Sequence, residues 1–593
     1  MPRPRRAALL AAVVALAATA AGLSPASAAA AAPTATDGCL TSVPDAGSTA
    51  PVQICYTVFR PASASASSPV PVLLEGHGWG GSRQKSPAAF ERYLAAGYGV
   101  ISFDQRGFGE SGGKAHVMDP AVEGRDVQAL IDLAAALDWV VQDGAGDPRI
   151  GAIGGSYGGG FQYVGAFSEI EATGRTRFDA LAPEYTWWDI NDALAPQGVA
   201  RSEWLSVLWA IGNVSDAHTA PAFRGFPEGA ATGNYPDYLR DFWADNGPAH
   251  HIAAGRRLDV PVLVRQGVSD NLFNLNQALK NLDGLTERAR ERSVFLGFHG
   301  GHALPAVLPP GSQAGQPVAL GPMGSDPCSP ALQGGEGDFT SLQLRFFDVH
   351  LKGASGTVPG EGEFALIDTD GSCILTPTLG TEQAFDAGDV TTPVAAAGPP
   401  QYVPLGTGPF MVAGTPYLDA TVTTLTPDAR AFFALAVGTS PANARVVHSN
   451  LLPHREATAV SGVERTIELP AVSVTVPEGA QLFLAATPSA EMFGAHTSRV
   501  PGVMTLDAAT VRVPLLAAAA EEAGPTGGST EESGATEGGT TQATSQATTQ
   551  ARAAATRQLP ATGLDAAPVL GLLALVTGAG VAAVRRRGAA DGR

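Results

Sequence analysis

The chain has 593 residues, 45% apolar and 16% charged, which suits two or three folded domains plus tails. A formal net charge of −19 argues against a nucleic-acid binder, because a phosphate-binding surface has to be basic. Beyond that, the acidic balance speaks only of solubility.

Residues 1–30 predict a cleaved export signal. Arg3, Arg5 and Arg6 form a basic n-region, 7–23 an apolar h-region, and Ala26-Ser27-Ala28 the small-residue pattern of a cleavage site. Arg5-Arg6 also admits a twin-arginine reading, which the flanking residues fit poorly, and the alanine run leaves the cleavage position open. Four cysteines in an exported chain allow three pairings. Cys39 with Cys55 and Cys328 with Cys373 is the expected pattern, since each pair is close in sequence and brackets a loop-like stretch. Closing a loop of ~15 residues contributes roughly 3 kcal/mol in the chain-entropy model. None of the four sits in a CxxC or beside spaced histidines, so no metal or redox centre is expected, and no cofactor motif is evident.

From about 52 to 353, short β-rich runs alternate with amphipathic helices, which predicts a mostly parallel sheet in an α/β domain over 45–355. Strands are expected at 71–75, 97–103, 149–154, 178–182, 260–266 and 292–298, and helices at 122–140 and 339–351. Between about 184 and 257 the alternation stops, and the segment holds Trp187, Trp188, Trp204, Trp209 and Trp243. That interruption reads as a helical cap. Most of its tryptophans are expected to fill the cap's own core, with Trp187 and Trp188 as candidate apolar walls of a substrate pocket.

Over 360–516 no long helix is evident, and short alternating runs at 431–437, 466–476 and 481–486 predict a β-sandwich, jelly-roll-like domain. Residues 517–558 reduce to Ala, Gly, Ser, Thr, Glu and Gln, a disordered spacer unable to bury a core. At 559–593, Leu559-Pro560-Ala561-Thr562-Gly563 is followed by the apolar stretch 566–584 and by Arg585-Arg586-Arg587. The apolar stretch would pause in the bilayer with the arginines on the cytoplasmic side. This order resembles the LPXTG sorting signal of Gram-positive surface proteins. The resemblance implies transient membrane insertion, sortase cleavage between Thr562 and Gly563, and attachment to peptidoglycan. An ordinary C-terminal membrane helix is the other reading.

The chemistry centres on Gly154-Gly155-Ser156-Tyr157-Gly158, a G-x-S-x-G set between a β run and a helical one. Such an elbow holds serine in a strained turn, and small neighbours let strand and helix approach. Serine is a weak nucleophile at neutral pH and needs a base with an orienting acid. Asp270 follows the 260–266 strand and His302 follows the 292–298 strand, where C-terminal loops converge. Asp270 also reads as a helix N-cap, and His299 competes with His302 for the base. His116, His218, His250 and His251 read as ordinary polar loop residues. His77-Gly78-Trp79-Gly80-Gly81 follows the 71–75 strand and resembles an H-G-x-x oxyanion loop. Its expected donors are the backbone N–H groups of Trp79 and Tyr157, with His77 bracing the loop. The run from Asp104 to Ser111, with Arg106, resembles the D-x-R-G-x-G-x-S turn that supports such sites.

Together these motifs resemble the X-prolyl dipeptidyl-peptidase and cocaine-esterase group of α/β-hydrolases over residues 45–516. Phe346-Phe347-Asp348-Val349-His350-Leu351-Lys352-Gly353 is similar to the segment closing that group's catalytic domain. The resemblance implies an α/β-hydrolase fold with a helical cap, then a β-sandwich. It also implies Ser156, His302 and Asp270 as triad, acting on a small ester or peptide substrate. There are departures: the oxyanion loop has no tyrosine, Phe346 stands where the group has tryptophan, and no acid is assignable to a substrate's amino group. A non-catalytic surface binding or adhesion protein on the same fold is the competing reading.

Overall fold

The computed structural model describes residues 32–304, 324–394, 400–494, 498 and 500–517. The export signal, nearly all of the 517–558 spacer and the sorting signal with Thr562 and Gly563 lie outside the described residues. Among the described residues no helix is long and apolar enough to cross a membrane.

The first domain is built on a ten-stranded sheet. Its strands are β1 (Thr34–Ser42), β2 (Val52–Arg60), β3 (Val72–Gly76), β4 (Gly99–Phe103), β5 (Ile150–Gly155), β6 (Phe178–Glu184), β7 (Leu263–Gly267), β8 (Val294–Phe298), β9 (Phe364–Ile367) and β10 (Cys373–Thr376). They lie in the order β1-β2-β4-β3-β5-β6-β7-β8-β9-β10. From β4 to β9 every neighbouring pair is parallel, whereas β1–β2, β2–β4 and β9–β10 are antiparallel. Central strands such as Val-Leu-Leu-Glu-Gly of β3 are buried at every position, as a parallel sheet covered on both faces requires.

Helices α1 (Glu123–Ala135), α2 (Tyr157–Thr173) and α9 (Phe339–Lys352) pack against this sheet. In α1 the buried Val127, Leu130, Ile131 and Ala134 recur at helical spacing. The helix stops short of the expected residue 140 because Trp139 tucks against Gly99 and Val140 bridges to Val70. Asp338 caps α9 through a reciprocal bond with Ser341, and Gly353 ends it in the left-handed region. The interruption expected at 184–257 is a cap of five helices: α3 (Ile190–Leu194), α4 (Ser202–Val214), α5 (Ala220–Thr232), α6 (Asp237–Phe242) and α7 (Pro248–Ala253). A further helix, α8 (Leu275–Asn281), follows β7.

The expected boundaries need three corrections. The sheet begins at Thr34 and not near 45, because β1 pairs along its whole length with β2, with Cys39 opposite Cys55. It also runs past 360, since β9 and β10 extend it and Cys373 is bonded to Cys328. Finally, the 466–476 run is two strands, Val460–Glu468 and Val472–Val476, broken at Pro470, which has no amide to donate to a ladder.

The second domain packs a six-stranded sheet on a five-stranded one. Tyr417–Thr424 alternates half-buried and buried residues, and Leu418, Val422, Phe433, Leu435, Leu482, Leu484, Val511 and Val513 meet inside. The seam between domains is polar and apolar by turns. Asn276 on α8 donates to the Leu469 carbonyl at 2.9 Å and accepts from the Ala471 N–H at 2.8 Å. Trp204 of the cap shares one apolar cluster with Phe432, Phe483 and Phe493 of the sandwich.

Cys39–Cys55 closes a span of 16 residues. Replacing both by serine is expected to lower unfolding stability by about 3 kcal/mol, read as a shift of the urea midpoint at unchanged slope.

Candidate active site

Ser156 sits between the end of β5 and the start of α2 with φ +59 and ψ −121. A non-glycine residue held there costs about 1–3 kcal/mol, supplied by the surrounding packing. The Ser156 N–H donates to the Glu184 carbonyl at 3.0 Å, and its own carbonyl accepts from the Thr186 hydroxyl at 2.9 Å. Gly158 has no room for a side chain, since a Cβ there would run into the backbone of Gly76 at the end of β3. Gly154 is closed off by the Gly76 carbonyl in the same way, whereas a Cβ at Gly155 would meet the Tyr185 ring.

Asp270 and His302 reach the serine from the loops after β7 and β8. His302 Nε2 lies 2.7 Å from Ser156 Oγ, and its Nδ1 lies 2.8 Å from Asp270 Oδ2. Asp270 is fully buried. Its Oδ2 also accepts the His302 N–H at 2.8 Å, and its Oδ1 accepts those of Leu272 and Phe273 at 2.9 and 2.7 Å. The N-cap-like use of Asp270 is therefore real, on the two amides that follow it, and coexists with the bond to the imidazole. Gly301 adopts φ +88, and a Cβ there would press on the Asp270 side chain. His299 is held elsewhere: its N–H donates to Ser325 and its carbonyl accepts from Gly324.

The imidazole is walled by Phe273, Tyr185 and Trp204, with ring centroids at 4.9, 5.5 and 5.7 Å, all close to edge-on. This corrects the expected pocket walls. Trp187 is buried one ring further back, against Phe273 at 5.3 Å and over Gly160 of α2. Trp188 turns to α8, where Lys280 Nζ lies 5.0 Å from its ring. An apolar residue at a cap boundary reads the same from sequence whether it faces the cleft or the core. His251 is also no loop residue: it lies in α7, stacked on Phe167 at 5.0 Å.

In the 77–81 loop, His77 Nδ1 donates to the Gly78 carbonyl at 2.7 Å and Nε2 accepts from the Gln105 N–H at 3.0 Å. Burial lowers the His77 pKa, which keeps the ring neutral and able to accept. The Trp79 ring lies edge-on to that of Tyr157 at 5.1 Å, and its indole N–H donates to the Leu208 carbonyl on α4 at 3.0 Å. The Tyr157 amide opens the first turn of α2, where a helix leaves N–H groups without intrahelical acceptors. Neither the Trp79 nor the Tyr157 amide donates to another of the described residues. Beside this loop, the Asp104 carboxylate accepts the Arg83 N–H at 2.6 Å and that of Glu110 at 2.9 Å. Arg106 is buried on Asp126 at 2.7 Å and Asp45 at 2.9 Å.

Ser156, His302 and Asp270 thus have the geometry of a serine–histidine–aspartate triad on an α/β-hydrolase fold. Residues 50–303 match the family model of X-Pro dipeptidyl-peptidase (S15 family). The quorum-quenching protein AidA of Acinetobacter baumannii (strain MDR-ZJ06) is 36% identical over 214 residues, which cover 34% of this chain and 66% of that protein. An uncharacterized 31.7 kDa protein of Escherichia coli is 34% identical over 147 residues, covering 25% of this chain and 47% of its own. The chain therefore spans less than two thirds of either relative. Among solved structures, a CocE/NonD family hydrolase from Staphylococcus aureus superposes with a TM-score of 0.53 at 12% identity, covering 82% of this chain and 97% of that one. An α-amino acid ester hydrolase gives 0.52 at 13%, covering 81% and 97%. At such identities the likeness is one of fold, and it takes in the sandwich as well as the catalytic domain.

Other residues beside Ser156, His302 and Asp270 left no mark in the sequence. Tyr185, Trp204 and Phe273 around the imidazole carry no motif. Glu203, one residue before Trp204, has both carboxylate oxygens 3.1 Å from the Gly494 N–H, and burial raises its pKa to about 7. Glu491 of the sandwich is likewise raised to about 7, by burial and by the charge of Glu203. A groove of about 570 Å³, lined by residues including Asp189, Asp192, Arg240 and Arg455, opens between cap and sandwich, and no triad residue lines it.

Glu75, at the end of β3, accepts a hydrogen bond from the Ser102 hydroxyl. Burial raises its pKa from 4.5 to about 7, with Asp104 adding to the rise. The folded state thus keeps a proton that the unfolded chain releases near 4.5, and Glu75 erodes stability as pH climbs from there to about 7. Glu75→Gln is expected to match the native chain in urea denaturation at pH 4.5 and exceed it by about 2–3 kcal/mol at pH 8.

Proposed function

We propose that the chain is an exported serine hydrolase that cleaves an ester or a peptide or amide bond through an acyl-enzyme. The observation that carries this is the continuous set of contacts from Ser156 Oγ through His302 to the buried Asp270 carboxylate. Ser156 Oγ attacks the substrate carbonyl while His302 Nε2 takes its proton, and the imidazolium is held by Asp270. The same proton passes to the leaving alcohol or amine. Water then repeats the attack on the acyl-enzyme, with His302 again as base, and the acid leaves. The Trp79 and Tyr157 amides are the donors for the oxyanion, the second at the positive end of α2.

The match to the X-Pro dipeptidyl-peptidase model favours substrates with a free amino group. Glu203 precedes Trp204 on α4, and its charge acts on Glu491 of the sandwich. Hydrolysis by the soluble ectodomain, residues 33–557, is to be compared on short-chain p-nitrophenyl esters and X-Pro anilides. Ser156→Ala is expected to lose turnover at least 10⁴-fold on whichever series is cleaved, and Asp270→Asn about 10⁴-fold in kcat. Cleavage of esters alone removes the peptidase reading. Full activity in Ser156→Ala, or no reaction with a fluorophosphonate probe, removes the hydrolase reading and leaves a display protein.

The 559–563 pattern with its apolar stretch and arginines supports covalent attachment to a Gram-positive cell wall. Expressed in a sortase-bearing host, the full chain is expected in the muramidase-released wall fraction, and Thr562→Ala in the membrane fraction. Recovery of both in the membrane fraction would make the segment an ordinary membrane helix.

A further inference from the structure

We propose that Asn271, the residue after Asp270, is a positioning residue that locks the base loop onto the acid loop and ties both to cap helix α4. The proposal rests on the serine-hydrolase reading above. Every polar group of Asn271 is used. Its backbone N–H donates to the His302 carbonyl at 2.9 Å. Its side chain spans Leu304, with Nδ2 donating to that carbonyl at 3.3 Å and Oδ1 accepting that N–H at 3.4 Å. The same Oδ1 accepts the Trp204 indole N–H at 2.9 Å, and the Asn271 carbonyl accepts from Arg201 Nη1 at 3.1 Å.

The consequence is geometric. His302 is clasped at its own carbonyl and two residues later, so its backbone follows the loop that carries Asp270. The two arms of the triad thus move as one unit. Trp204 closes the arrangement, since its indole N–H holds Asn271 while its ring edge meets the imidazole at 5.7 Å. Arg201 is buried, and of its guanidinium bonds one goes to Ala193 at 2.8 Å and another to Asn271, both carbonyls of its own chain. Among the described residues no carboxylate is bonded to this buried cation, a costly arrangement whose fixed donors serve geometry. Asparagine suits the position because it presents a donor and an acceptor in one plane. Aspartate lacks the donor and serine the reach.

The readout is the rate constant for fluorophosphonate inactivation together with the end-point count of labelled sites, and kcat and KM on the best substrate of the preceding assays. Asn271→Ala and Trp204→Phe are each expected to slow inactivation and kcat by about 10- to 100-fold with KM changed less than about threefold, all sites still titrating at the end-point. Asn271→Asp is expected to shift the acid limb of the pH–rate profile upward, because a new carboxylate beside the triad favours the imidazolium. A residue that only stabilised the fold would lower the count of labelled sites and leave the rate per site intact. That result, or native rates in both Asn271→Ala and Trp204→Phe, overturns the proposal. Should Asn271→Ala fail to fold, Trp204→Phe, which keeps an aromatic ring at the imidazole but loses the indole N–H and the second ring, decides together with Asn271→Asp, which keeps the size of the side chain and loses its donor. No Ser156-dependent labelling of the native chain overturns the underlying reading, and the proposal with it.

Discussion

A carboxylate removed from water has to be surrounded by donors before a chain will fold around it, and Asp270 is surrounded by four N–H groups. Much of the site follows from that requirement. Two donors come from Asp270's own loop and two from His302, so satisfying the charge brings the base loop to the acid loop. Gly301 is the residue that permits the approach, because its φ of +88 and its missing side chain leave room for the carboxylate. The sandwich joins as well, with Asn450 Nδ2 donating to the Asp270 carbonyl at 3.1 Å.

The cap and the sandwich are for this reason parts of one packed body around the triad. Helix α4 touches the acid loop and the 77–81 loop: Trp204 reaches Asn271 beside Asp270, and the Leu208 carbonyl receives the Trp79 indole N–H. Its other side faces the sandwich, where Glu203 meets Gly494 and Arg201 lies 4.9 Å from the Phe493 ring centroid. An element bonded at so many points holds the site's shape better than it opens it.

How much of this was legible in the sequence depended on the kind of signal. The strands at 71–75, 178–182 and 292–298 were visible as short apolar runs, because parallel strands are buried on both faces. The serine elbow was legible since its glycines are forced by close contact with backbone and with the Tyr185 ring, and so leave a motif. Both disulfide pairs were legible from spacing. β1 was not, because Thr-Ala-Thr-Asp-Gly-Cys-Leu-Thr-Ser lies on the sheet's edge, mostly exposed, and carries no apolar alternation. Trp187 was misplaced for a different reason: burial in a core and exposure to a ligand ask for the same residue. Asn271 left no trace, since one polar residue in a loop carries no period, and only the bonds it makes distinguish it.

The departure at the 77–81 loop then has a physical reading. A tyrosine in that loop would bring its own hydroxyl donor, whereas Trp79 spends its single side-chain donor on the cap at Leu208. In the proposed mechanism the oxyanion is left to two backbone amides, whose aim is only as good as the loop that carries them. That loop is fixed from below by His77 on Gln105 and from above by Trp79 on α4. Burial keeps His77 neutral, so the lower brace does not compete as a proton donor with the chemistry beside it. The two side chains flanking the turn therefore serve placement, and the turn between them is free to present its amides. A site organised in this way relies on the cap for the same positioning that a side-chain hydroxyl would otherwise supply.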